Sequence, residues 1–82
     1  MSRRNGRGYS IELVEAVSKL NPDRLRVRLA LACIKHRVPV QVVAARLGVS
    51  RYTVYNWFQG VFEPRGRTQE TIMDMIKELE AE

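Results

Sequence analysis

Apolar residues recur along this chain at helical spacing, in blocks separated by short polar or Gly/Pro breaks. Residues 10–20 carry Ile11, Leu13, Val14, Val17 and Leu20, and positions 13, 17 and 20 make one stripe. Ser10 is placed to cap this helix, and Glu12 and Glu15 suit its positive end. Asn21-Pro22-Asp23 is a second start signal, predicting a long helix over 23–37. Its centre, Leu-Ala-Leu-Ala-Cys-Ile at 29–34, is apolar all round, which predicts burial on more than one side, between the first helix and the two short helices within 40–60. Pro39 stops the helix, and Val38 before it is expected to be extended. Residues 61–67 contain Pro64 and Gly66 and read as a loop, with Val61 or Phe62 tucked into the core. The last helix is predicted at 68–82, capped by Thr68 with Glu70 in its first turn. Its stripe of Ile72, Met75, Ile76 and Leu79 closes the core, and Met73 falls off it as a candidate dimer contact.

Between Pro39 and Val61 the pattern is more specific. Residues 40–47 form a short helix ended by Gly48, where a left-handed backbone is cheapest. Val49 plugs the space beside the turn, and Ser50 caps a second helix over 51–59, ended by Gly60. Ala44 is small enough for two helices to cross at close range, with Val43 and Leu47 near it. Val54, Trp57 and Phe58 share the inner face of the second helix, which makes Trp57 a core residue rather than a platform for stacked bases. Left for its outer face are Arg51, Tyr52, Tyr55, Asn56 and Gln59, and no acid occurs from residue 40 to residue 60. The elements together predict an all-α, compact bundle of about five helices containing a helix-turn-helix at 40–60. A polar, aromatic and basic helix face without a carboxylate suits a DNA major groove.

Ala44, Gly48, Val54 and Trp57 resemble the marker positions of the helix-turn-helix unit. The wider run, A-x-x-LGVS-x-x-TVYNW-x-x-G followed by Pro64, resembles the lambda-repressor/Cro-like family and is similar to small DNA-binding proteins encoded by phages. That family often begins its first motif helix with glutamine; here Val40 is first and Gln41 second. The resemblance implies base-reading roles for Arg51, Tyr52 and Asn56. Chemistry agrees: the Arg51 fork matches guanine O6 and N7, Asn56 suits adenine, and Tyr52 can pack on a thymine methyl or bond a phosphate. Tyr55 is a further candidate base reader. Gln41, Arg46, Ser50 and Gln59, with Arg65 and Arg67 in the loop, are the expected backbone contacts, which set register but not sequence.

Charge sharpens this picture. Residues 1–67 hold 13 Lys and Arg against 4 acids, +9, and residues 68–82 hold 1 Lys against 5 acids, −4, which together give the +5 of the whole chain. So uneven a distribution reads as a polyanion-binding body with an acidic last helix. Residues 1–9 add Arg3, Arg4 and Arg7 without an aliphatic residue after Met1, and are expected to be a flexible basic arm, laid along DNA or simply solvated. The rest, 10–82, makes one domain, and 82 residues leave room for no second core.

Other function classes fare worse. One cysteine forms no internal disulfide, and Cys33 with the single His36 falls short of the four ligands of a zinc site, so no metal or cofactor is expected. Cys33 reads as an inert core residue, and His36 as a cation at a helix end. No nucleophile–base pair, phosphate-cradling glycine loop or paired carboxylate points to an enzyme. No apolar run suits a signal peptide or a membrane span, so the expected location is the cytoplasm or nucleoid of a bacterial host. The expected function is sequence-specific double-stranded DNA binding in transcriptional regulation. A protein-interaction module acting on host polymerase or another regulator is the alternative, as is a DNA-packaging or recombination accessory. Without a coiled coil or second domain to hold a dimer, the chain is expected to be a monomer or weak dimer that pairs on DNA.

Overall fold

The computed structural model describes residues 9–81. The helices are α1 (Ile11–Ser18), α2 (Leu25–Lys35), α3 (Val40–Leu47), α4 (Arg51–Phe58) and α5 (Arg67–Glu80), with no strand among the described residues. The fold is all-α. The central helix is α2, which packs against α5, α4 and α1, while α3 packs against α4 and α5. Val27, Leu29, Val43, Val54, Phe58 and Ile72 are completely buried at this junction. Full burial of one such side chain is worth about 1.5–3 kcal/mol of transfer free energy.

Helix α1 starts as its sequence demands: Ser10 Oγ accepts from the Leu13 N–H at 3.1 Å. Only Leu13 and Val17 of its stripe are fully buried, and Ile11 faces solvent. The start of α2 is later than Asn21-Pro22-Asp23 predicts. Asn21 Oδ1 accepts from the Asp23 N–H at 2.9 Å and the Asn21 carbonyl accepts from the Arg24 N–H at 3.2 Å. The asparagine therefore closes a turn of its own, ahead of the helix rather than as its cap. At the other end α2 stops at Lys35: Arg37 adopts φ +57 and the Val38 N–H returns to the Cys33 carbonyl at 2.8 Å. Within 29–34, Leu31 departs from the expected all-round burial and is 40% exposed.

The α4–α5 connection also differs from expectation. Val61 and Phe62 are both exposed, and Pro64 is the buried residue instead. Gly60 adopts φ +81 and the Val61 N–H bonds back to the Asn56 carbonyl at 2.8 Å, which turns the chain outward. Glu63 then reaches back to form an ion pair with the mostly buried Arg26 of α2, with Arg24 at 3.8 Å, and this pins the loop with Pro64 inward. Thr68 does not cap α5. The helix begins one residue earlier, behind Gly66, and the Gln69 side chain donates to the Pro64 carbonyl at 2.9 Å. Ile72, Met75 and Ile76 are buried and Leu79 partly so, as the stripe predicts; Met73 is left outside.

Residues 1–8 of the expected basic arm, with Arg3, Arg4 and Arg7, lie outside the described residues. Tyr9, placed in that arm by the sequence reading, is part of the body. Its hydroxyl donates to the Val38 carbonyl and its ring meets Phe58 at a centroid distance of 6.1 Å, tilted by 46°. Burial holds its phenol well above the usual tyrosine range.

Candidate nucleic-acid interface

The pair α3–α4 is built by local chemistry. Gly48 sits at φ +71 in the left-handed region, and the N–H groups of Gly48 and Val49 both turn back to the Ala44 carbonyl. A Cβ on Gly48 would meet nothing within 4 Å, so glycine is required here by the backbone and not by space. Ser50 caps α4, with its Oγ accepting from the Thr53 N–H at 3.1 Å. Ala44 on α3 and Val54, Trp57 and Phe58 on α4 are buried in the shared core. Trp57 is 4% exposed and offers no face to a nucleic-acid base.

The outer arc of α4 then follows from its period of about 3.6 residues per turn. Arg51, Tyr52, Tyr55 and Gln59 are all exposed on it, Tyr52 at 72% and Tyr55 at 43%. Asn56 does not join them. It lies past the edge of the arc, is 9% exposed, and its Nδ2 has no hydrogen-bond partner. This corrects the expectation that Asn56 stands on the outer face: its polarity suggested solvent, but its phase on the helix points it into the body.

The expected backbone contacts are also distributed unevenly. Gln41, Gln59, Arg65 and Arg67 are exposed. Ser50 is committed to the cap, and its hydroxyl also hydrogen-bonds with Thr53 Oγ1 at 3.0 Å. Arg46 is ion-paired with Glu78 of α5 and is not the unengaged cation that its sequence position implies. Two features escaped the sequence reading. Arg37 is an exposed cation on the turn between α2 and α3, held there by its left-handed backbone. The Arg26–Glu63 pair fixes the loop that carries Arg65. An acid three residues past a helix-ending glycine was the available signal for that pair, but its partner is remote in sequence.

Cys33 is completely buried, and burial pushes its thiol up to about 12, so it carries no thiolate at neutral pH. His36 Nε2 lies 3.9 Å from a Glu80 carboxylate oxygen. Among the described residues no group of three or more His, Cys, Asp or Glu side chains is placed to hold a metal ion, and no helix is long and apolar enough to cross a membrane.

A three-helix unit is therefore on view, α2–α3–α4, with an acid-free second motif helix exposed along one arc. The family model for the homeodomain-like domain matches residues 21–61, which spans these three helices. The chain belongs to the homeodomain-like family. No curated protein and no solved structure matches the chain significantly. Within the homeodomain-like unit α3 and α4 are the helix-turn-helix, and membership of the family supports DNA binding. Helices α1 and α5 lie outside the matched region and both pack against α2.

Proposed function

We propose that this homeodomain-like chain is a sequence-specific double-stranded DNA-binding protein that regulates transcription. The same proposal places it among lambda-repressor/Cro-like proteins of the phage-encoded kind, acting in a bacterial cytoplasm or nucleoid, as a binding protein and not an enzyme. The observation that carries the reading is the exposed, carboxylate-free arc of Arg51, Tyr52, Tyr55 and Gln59 on a capped second motif helix. Docking of such a helix puts its first turn and outer face against base edges in the major groove. Arg51 opens the helix and carries the fork that reads guanine. Tyr52 packs on a thymine methyl or bonds a phosphate, and Tyr55 lies beside it. Gln41, Gln59, Arg65 and Arg67 are the exposed groups suited to phosphates, and Arg37 joins them.

Selection of bound sites from a random DNA pool tests this reading. The expected result is a short enriched motif, with affinity falling steeply with salt at a slope of about −0.9 per phosphate neutralised. Binding without enrichment would leave a DNA-binding accessory and overturn specific readout. One observation favours a second reading: Val61 and Phe62 are adjacent and exposed, at 59% and 50%, just past α4. Apolar anchors of this kind mark contacts to another protein, and a regulator that touches polymerase would use them.

A further inference from the structure

Helix α2 ends in a Schellman turn. The Val38 N–H returns to the Cys33 carbonyl at 2.8 Å, and Arg37 takes φ +57 just before it. Glycine is the usual residue at such a position, because a Cβ is disfavoured in the left-handed region. Arginine therefore stands there against the preference of the backbone. The helix dipole does not account for it, since Lys35 already places a cation in the last turn of α2. Internal pairing does not account for it either. Lys35 lies 3.9 Å from Glu80 and Arg46 is paired with Glu78, whereas the exposed Arg37 makes no ion pair among the described residues. A left-handed backbone under an exposed, unengaged cation points to a ligand outside the chain.

The peptide after Arg37 is held from the far side. Tyr9, 29 residues from Val38, donates its hydroxyl to the Val38 carbonyl. Its ring meets Phe58 of α4 at a centroid distance of 6.1 Å. Burial first, then the neighbouring Cys33 and Tyr55, keep the phenol protonated, so the hydroxyl stays a donor. One side chain thus joins the α2–α3 turn to the stretch of α4 that carries Tyr55 and Phe58. Val38 is bound through both of its backbone groups, N–H to Cys33 and C=O to Tyr9. A change in the Arg37 backbone would move Val38 off both partners.

We propose that Tyr9 is a positioning residue for DNA binding: its hydroxyl fixes the Val38 peptide relative to α4 and so sets Arg37 beside the exposed arc, on a backbone phosphate. This rests on the DNA-binding reading above and on Arg37 as one of its phosphate contacts. Tyr9 itself is half-buried behind α4 and need not touch DNA. Its effect is on where a charge stands and not on how much charge there is.

Salt titrations of the full chain on a short random-sequence duplex test this, with Tyr9→Phe, Arg37→Gly and the double variant. Arg37→Gly should weaken binding several-fold at low salt and make the salt slope shallower by about 0.9, the value for one phosphate. It should melt no lower than wild type, because glycine suits φ +57. Tyr9→Phe changes no charge, yet it should also weaken binding and make the slope shallower, toward the Arg37→Gly value. Its preferred sequence should be unchanged, since phosphates carry no sequence information. The double variant should bind as Arg37→Gly does, because both changes remove one contact. Amide exchange covers a Tyr9→Phe chain that folds poorly. The Arg37 and Val38 amides should exchange faster while those of α4 stay protected, and equal loosening of both would make Tyr9 a general packing residue and overturn the proposal. An unchanged slope in Tyr9→Phe, or independent losses that add in the double variant, would overturn it while leaving DNA binding intact. An unchanged slope in Arg37→Gly would remove the phosphate contact and the proposal with it. Wild-type chain that binds no duplex would overturn the DNA-binding reading itself.

Discussion

Arg46 near the end of α3 is ion-paired with Glu78 on α5, so a cation of the helix-turn-helix is held by a carboxylate of the acidic last helix. The two side chains are 43% and 57% exposed. An ion pair this open is worth at most about 1 kcal/mol, and a DNA phosphate can take the place of Glu78.

Exchange of that kind has a measurable sign. Glu78→Gln should cost less than about 1 kcal/mol of stability. It should strengthen binding to all DNA sequences severalfold at low salt, because it frees Arg46 and removes one repulsive charge. Arg46→Ala should weaken all sequences about equally. Titrations at low and high salt check both; equal affinities for wild type, Glu78→Gln and Arg46→Ala would exclude Arg46 as a phosphate contact.

Arg51 and Asn56 should separate in a specificity assay. Arg51→Ala is expected to lose about 1–3 kcal/mol on the preferred site and to relax one base pair, as for a bidentate contact. Asn56→Ala should leave the preferred sequence unchanged, since the side chain is buried with an unpartnered Nδ2. Its stability change should stay within about 1 kcal/mol, because truncation also removes an unsatisfied donor. Relaxed specificity in Asn56→Ala would mean that the side chain swings out on DNA.

The turn and the helix crossing fail for different reasons. Gly48→Ala meets open space, so only its backbone at φ +71 resists, at about 1–2 kcal/mol. Ala44→Leu overpacks a site that is 5% exposed and should cost about 1–3 kcal/mol. Thermal melts followed by circular dichroism read both. An unchanged melt for Ala44→Leu would show that the α3–α4 contact yields readily.

Cys33 sets an alkaline limit. Its folded-state pKa of about 12 lies above its ordinary value of 9.0, so the folded chain keeps the proton that the unfolded chain loses between those values. Stability from this group is fully present below pH 9 and declines as pH rises toward 12, by up to about 1.4 kcal/mol per pH unit. Tyr9 adds a decline of the same sign at higher pH. Melting temperatures from pH 8 to pH 11 should fall more steeply for the wild type than for Cys33→Ala. Parallel curves would remove Cys33 as the cause.

The sequence by itself determined the elements whose causes are local. Ser10 and Ser50 cap the helices they precede, and Gly48 takes the left-handed turn, because each acts on backbone within a few residues. The limits of α3 follow from Pro39 and Gly48 and the core face of α4 from periodicity, and with them the helix-turn-helix and most of its exposed arc. Tertiary structure decided what depends on remote partners. Val61 and Phe62 are outside and Pro64 is inside, next to a Glu63 that meets Arg26 across the bundle, which apolar content cannot foretell. Asn56 is inside because helix phase outweighs side-chain polarity at the border of a face. Arg46 meets Glu78 only once α5 folds back on α3, a contact between residues 32 apart in sequence. Short-range hydrogen bonds and period are written residue by residue, whereas the pairing of charges waits for the packing of the core.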